Sequence, residues 1–256
     1  MRAVPAEAPS LRVETVQAPD KENSKSRLDG DQADVRLMAG GRLRMRRGEG
    51  RARFSFAAPP APSDLLHPYL APAAALAHLW AGREAFHAGS FATRAGAVVV
   101  LADKGGGKST TLAWLAAEHA VPVLSDDLVI VEDGLALAGP RCLDLRAQPA
   151  VRCLALADSQ PVRGTDRLRM TLAPGPAQAP LAGTVVLQWG SRLTMTAVRI
   201  PDRVRRLLPY RMFADRLAVA PNSILELCAV PMLILTRPHG ERGLREAAKA
   251  LADYFG

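Results

Sequence analysis

The chain has 256 residues, 48% of them hydrophobic and 23% charged, which is enough to bury a sizeable core in one large domain or one domain with a small extension. Its apolar runs, such as 97–102, fall far short of a bilayer span, and no apolar stretch follows Met1. Membrane insertion and secretion are therefore not expected, and a cytoplasmic protein is. The net charge of +8 comes almost wholly from arginine, and aromatic residues are only 5%, which argues against a nucleic-acid partner.

Residues 1–33 mix Pro, Ser, Asp, Glu and Lys without a sustained apolar period and read as a disordered tail. From Asp34 onward a single domain is expected to run to Gly256, opening with a small antiparallel β-region at about 34–58. There, residues 35–38 and 42–46 alternate around Gly40-Gly41 as a hairpin, and 51–56 add a third strand. Arg42, Arg44, Arg46, Arg47, Arg51 and Arg53 then line one solvated face. A helix follows from about Ala71, after Pro68. Residues 85–92 predict a strand that carries His87, residues 93–96 a turn, and 97–101 a strand buried on both faces. Near the end, 231–236 predict a strand and 241–254 a helix with Leu244, Ala247, Ala248 and Leu251 inward. Cys142, Cys153 and Cys228 fit neither a zinc site nor a disulfide framework and read as buried thiols.

The most informative stretch is Leu101-Ala102-Asp103-Lys104-Gly105-Gly106-Gly107-Lys108-Ser109-Thr110, a glycine-rich turn between a buried strand and a helix at 110–119. It has the form of a Walker A loop, with Ala102 where the first glycine is usual. Residues without side chains let backbone N–H groups of Gly105, Gly106 and Gly107 turn inward around phosphates, and the helix start favours negative charge. Lys108 is expected on the terminal phosphates, Ser109 on Mg²⁺, and Thr110 at the helix entrance, so ATP and Mg²⁺ are the expected cofactors. After the helix, 121–125 predict a strand ending in Asp126-Asp127, and 128–138 a hairpin turning at Glu132-Asp133-Gly134. One carboxylate of the pair can contact the metal, with Asp127 the candidate beside Ser109, and the other can accept a hydroxyl proton; which does which stays open. His87 can orient or tune that pair. His67, His78, His119 and His239 show no ligand spacing and receive no role.

The order His87, strand, Ala102 to Ser109, helix, Asp126-Asp127, hairpin resembles the carboxy-terminal kinase domain of the HPr kinase/phosphorylase family. The likeness covers roughly residues 85–146, with weaker matches at 185–187 and 230–254, and 139–146 look like the proline-containing segment of its relatives. The resemblance implies an α/β P-loop kinase sheet and an ATP-dependent serine kinase, with Asp126, Asp127, His87 and Lys108 as the catalytic set. It further implies a peptide, protein or small-molecule hydroxyl acceptor, and assembly as a homo-oligomer.

Two other readings compete. A metabolite kinase of the shikimate-kinase type also carries acids on the strand after the loop helix, but follows them with a helix rather than a hairpin. A regulatory or assembly protein that binds ATP without turnover is the third. Arg203, Arg205, Arg206, Arg211 and Arg216 read as a solvated helix face with Leu207, Leu208 and Phe213 inward, or else as a phosphate clamp.

Overall fold

The computed structural model describes residues 10–18, 25–37, 40–146, 159–162, 166–218 and 220–256, and Cys153 lies outside them. The described residues form a mixed α/β structure with three sheets. The chain divides into two compact units, one of residues 1–83 with 213–218, the other of 84–212 with 219–256. The division falls near residue 83, within the stretch 34–256 expected as one domain. Among the described residues no helix is long and apolar enough to cross a membrane.

The first unit holds a five-stranded sheet, β1 (Arg12–Gln17), β2 (Arg27–Leu28), β3 (Gln32–Arg36), β4 (Arg42–Arg46) and β5 (Arg51–Phe56), in the order β1-β5-β4-β3-β2. Alternation does what the sequence implies: Leu43, Met45, Ala52, Phe54 and Phe56 point into a core closed by Leu76 and Trp80 of the Leu70–Trp80 helix. The arginines turn the other way; Arg44, Arg46, Arg47, Arg51 and Arg53 are exposed, while Arg42 lies half-buried against Asp34.

The expectation of a disordered tail over 1–33 is corrected here. Residues 12–17 and 27–28 are strands, and β3 begins at Gln32; residues 1–9 and 19–24 lie outside the described set. β1 carries no apolar stripe of its own. It pairs in parallel with β5 along its whole length, from Arg12 opposite Arg51 to Gln17 opposite Phe56, with Glu14 3.6 Å from Arg51. Backbone hydrogen bonding to a distant strand leaves no mark on local composition.

The second unit is built on a larger sheet: β6 (Glu84–Phe86), β7 (Gly89–Thr93), β8 (Gly96–Leu101), β9 (Val123–Ser125), β10 (Val129–Glu132), β11 (Leu135–Leu137), β15 (Gln178–Trp189), β16 (Thr194–Ala197) and β17 (Met232–Arg237). A separate three-stranded sheet comprises β12 (Cys142–Arg146), β13 (Ser159–Pro161) and β14 (Arg167–Thr171). β15 is the axis. Its first half pairs antiparallel with β11, its second half pairs in parallel with β17, and β8 runs in parallel along its other edge.

Both faces of this sheet are covered, which is why β8 reads as an unbroken apolar run. Val98 and Val100 pack with Leu112, Leu115, Leu244 and Leu251 of the Lys108–His119 and Glu241–Phe255 helices. Ala97, Val99 and Leu101 pack on the opposite side with Leu207, Ile224 and Leu227 of the Ile200–Leu207 and Pro221–Ala229 helices. The expected hairpin after the acidic pair is present: β10 and β11 pair antiparallel around Asp133-Gly134, both at positive φ, as a two-residue turn of the first primed type requires.

The arginine stretch after residue 200 is not a uniform solvated face. The helix ends at Leu207, and Leu208 is exposed rather than inward. Arg203 donates from Nη1 to the carbonyls of Cys228 and Val230, at 2.7 and 2.9 Å. Arg211 is buried in an ion pair with Glu84 at 2.5 Å. Phe213 and Arg216 belong to the first unit. Cys228 is buried and Cys142 half-buried, both as free thiols, and burial raises the pKa of each.

Candidate functional site

β8 and β9 do not touch; β7 lies between them and is antiparallel to both, so β8 and β9 run in the same direction. Their carboxyl ends consequently lie at one edge of the sheet, the first leading into the glycine loop and the second into Asp126-Asp127. Lys108, the first residue of the loop helix, joins the two: its Nζ lies 2.7 Å from Asp126 Oδ1 and 2.5 Å from Asp127 Oδ1. Lys108 and Asp126 are buried, whereas the Asp127 side chain keeps 22% of its surface exposed. Burial opposes the charge on Lys108, but the two carboxylates outweigh it and hold the ammonium pKa above its ordinary value.

The loop backbone is fixed by side chains that sequence spacing does not single out. Gly105 and Gly107 adopt φ of +80° and +76°. Trp189 donates from Nε1 to the Gly105 carbonyl at 3.3 Å, and Arg237 donates from Nη2 to the Gly106 carbonyl at 2.7 Å. In a trans peptide the N–H opposes the C=O, so a Gly106 carbonyl tied to Arg237 sends the Gly107 N–H the opposite way. A Cβ on Gly107 would fall 2.5 Å from Arg237 Nη2 and 3.2 Å from the Trp189 ring, so the cradle tolerates no side chain there. No side chain caps the Lys108–His119 helix. The first-turn N–H groups of Lys108, Ser109 and Thr110 are thus available, at the positive end of the helix dipole, to an anion.

His87 falls in the break between β6 and β7, not within one continuous strand as expected from 85–92. It nevertheless meets the acidic pair. Its Nδ1 lies 3.1 Å from the backbone carbonyl of Asp127, and the His87 backbone N–H donates to the Tyr210 carbonyl at 2.7 Å. A ring nitrogen bonded to a carbonyl must carry the proton, which leaves Nε2 as the acceptor of the neutral ring. Loss of solvent around the ring, then the nearby Lys108 ammonium, push the His87 pKa below 6.5 despite the opposing carboxylates. Asp127 itself sits at φ +92°, with its N–H bonded to the Ala88 carbonyl at 2.9 Å. A non-glycine residue rarely takes that conformation, so Asp127 carries backbone strain.

Ser109 and Thr110 are half-buried on the first turn, where the loop places them. Every expected site residue thus lies in the second unit, and Lys108, Asp126, Asp127 and His87 form one connected group. Sequence reading misses Trp189, Arg237, His239 and Tyr210, whose hydroxyl donates to Asp103 at 3.2 Å. Position at the end of β15 or β17, strands parallel to β8, is the signal that finds the first two. Among the described residues no group of three or more His, Cys, Asp or Glu is placed to hold a metal ion.

No family model and no curated protein matches the chain. Among solved structures, the Hpr(Ser) kinase/phosphatase from Coxiella burnetii is similar with a TM-score of 0.34 and 8% identity, over 67% of this chain and 96% of that one. A likeness of that size assigns neither a family nor a residue role.

Proposed function

We propose that the second unit is a kinase-type phosphotransferase that takes the γ-phosphoryl group of ATP to a serine-type hydroxyl on a peptide, protein or small molecule. One observation carries the reading: a buried lysine at the start of an uncapped helix, behind a loop of left-handed glycines, is bound to two adjacent carboxylates. Triphosphate oxygens entering the loop take first-turn N–H groups and the Lys108 ammonium, and the carboxylates it held become available for chemistry. The acceptor oxygen then forms a bond to the γ-phosphorus, the bond from that phosphorus to the β-bridging oxygen breaks, ADP leaves, and the hydroxyl proton passes to one of the aspartates.

The donor set fits Mg²⁺ only as an ion that arrives with the nucleotide, since a hydroxyl and one carboxylate leave most of an octahedron to phosphate and water. Ser109 and Asp127 would hold it, where it would neutralise charge on the phosphate oxygens. His87, with Nε2 free to accept and its ring anchored on the Asp127 carbonyl, positions the strained Asp126-Asp127 turn.

The acidic pair leads into the β10–β11 hairpin rather than a helix, which favours this reading over a metabolite kinase of the shikimate-kinase type. The test is transfer of labelled γ-phosphate from ATP with Mg²⁺ to free serine, serine-containing peptides and an HPr-like protein, with Lys108→Ala and Asp126→Asn as controls. Transfer abolished by both substitutions is expected. ATP binding without transfer to any acceptor, unaltered by Asp126→Asn, would leave a nucleotide-binding regulatory protein instead.

A further inference from the structure

Trp189 closes β15 and His239 follows β17 by two residues. Both strands run parallel to the line of β8, so the two rings emerge at the sheet edge where the glycine loop begins. There they form a column. The Arg237 guanidinium lies over the Trp189 ring at 4.1 Å from its centroid, and the His239 imidazole stacks on Trp189 at 4.2 Å with an interplanar angle of 18°. The Trp189 Nε1 bond to the Gly105 carbonyl ties the column to the loop.

The two ends of the column differ in exposure, and only the outer one is open to a ligand. At the inner end Arg237 is fully buried, and among the described residues it has no carboxylate partner and its Nε and Nη1 make no hydrogen bond. Burial pulls its pKa down to about 10, which still leaves it cationic at neutral pH. An unpaired buried cation is costly, and its remaining contacts are the loop, Thr111 and the indole face. At the outer end His239 is exposed, and among the described residues its imidazole makes no hydrogen bond or ion pair. It is held by stacking on Trp189.

We infer that the His239–Trp189 stack is the platform for the nucleobase of the bound triphosphate, the base lying on the imidazole and extending the column. The inference rests on the phosphate-loop reading above and adds to it the part of the ligand that the loop leaves unrecognised. Arg237 does not reach the base; it is a positioning residue that clamps the indole and the loop together. Stacking is tolerant of base identity, because every base has a π-face. ATP and GTP are therefore expected to bind within a few-fold of each other.

Calorimetric titration with ATP and with inorganic tripolyphosphate, which lacks a base, separates the two readings. Wild-type protein is expected to prefer ATP by about 5- to 150-fold, the range for one stacked base. His239→Ala should erase most of that preference and leave tripolyphosphate affinity unchanged. In parallel, the His239 ring protons, identified in proton NMR spectra by their loss in His239→Ala, should shift with ATP and stay in place with tripolyphosphate. Equal affinity of wild type for both ligands, or His239 protons unmoved by saturating ATP, overturns the platform and leaves the phosphate loop standing. Failure of the wild type to bind either ligand overturns the phosphate loop, and the platform with it.

Discussion

Lys108 is buried against two carboxylates, one of them, Asp126, itself buried. Lys108→Met leaves Asp126 buried and uncompensated, and a loss of about 3–5 kcal/mol is expected in urea unfolding at pH 7. Adding Asp126→Asn to that variant should recover part of the loss, because the stranded charge is gone; a double variant no more stable than the single one would contradict the buried pair. His87 supplies a pH-dependent counterpart. Its folded-state pKa lies below 6.5, so the unfolded chain binds its proton more readily. Stability should then fall as the pH drops below about 6.5, and His87→Gln should flatten that limb of the pH profile. Gly107 is constrained from two directions, by φ of +76° and by the crowding of Arg237 and Trp189. Gly107→Ala is expected to cost about 1–3 kcal/mol in thermal or urea melts and to weaken tripolyphosphate binding.

At the scale of elements, the loop is held by what flanks it. The Glu241–Phe255 helix buries Leu244, Ala247, Ala248 and Leu251 against the Lys108–His119 helix and the sheet. Leu251 is fully buried, so Leu251→Ala should cost about 2–5 kcal/mol by transfer and cavity terms together. The same helix carries Arg242–Glu246 and Lys249–Asp253 pairs on its solvent side. Those exposed i,i+4 pairs are screened by solvent, so removing them is expected to leave the melting temperature nearly unchanged. The elements that carry the site are short: β9 has three residues, and the chain reverses at Asp126-Asp127 directly after it.

Over the whole molecule, every candidate site residue falls in the unit of residues 84–212 and 219–256. Deleting residues 1–18 removes β1 and bares the edge of β5, and a rise in aggregation by light scattering is expected. Tripolyphosphate binding by the soluble fraction should be unchanged. What the sequence determined by itself is local: the alternation of β4 and β5, the buried run of β8, the glycine loop and its helix, the Asp126-Asp127 turn, the β10–β11 hairpin and the closing helix. Each is written in neighbouring residues through period, turn chemistry or backbone freedom. The tertiary structure decided everything that joins distant segments. β1 finds β5 through backbone bonds that composition does not register. Glu84 meets Arg211 across the chain, taking that arginine out of the expected solvated face. Trp189 and Arg237 reach the loop, and His239 reaches Trp189, only because β15 and β17 run parallel to β8, and a stack between residues 50 positions apart has no signature in spacing. Local physics is set by the identity of adjacent side chains, whereas strand order and register are fixed by burial and hydrogen bonding summed over the whole sheet.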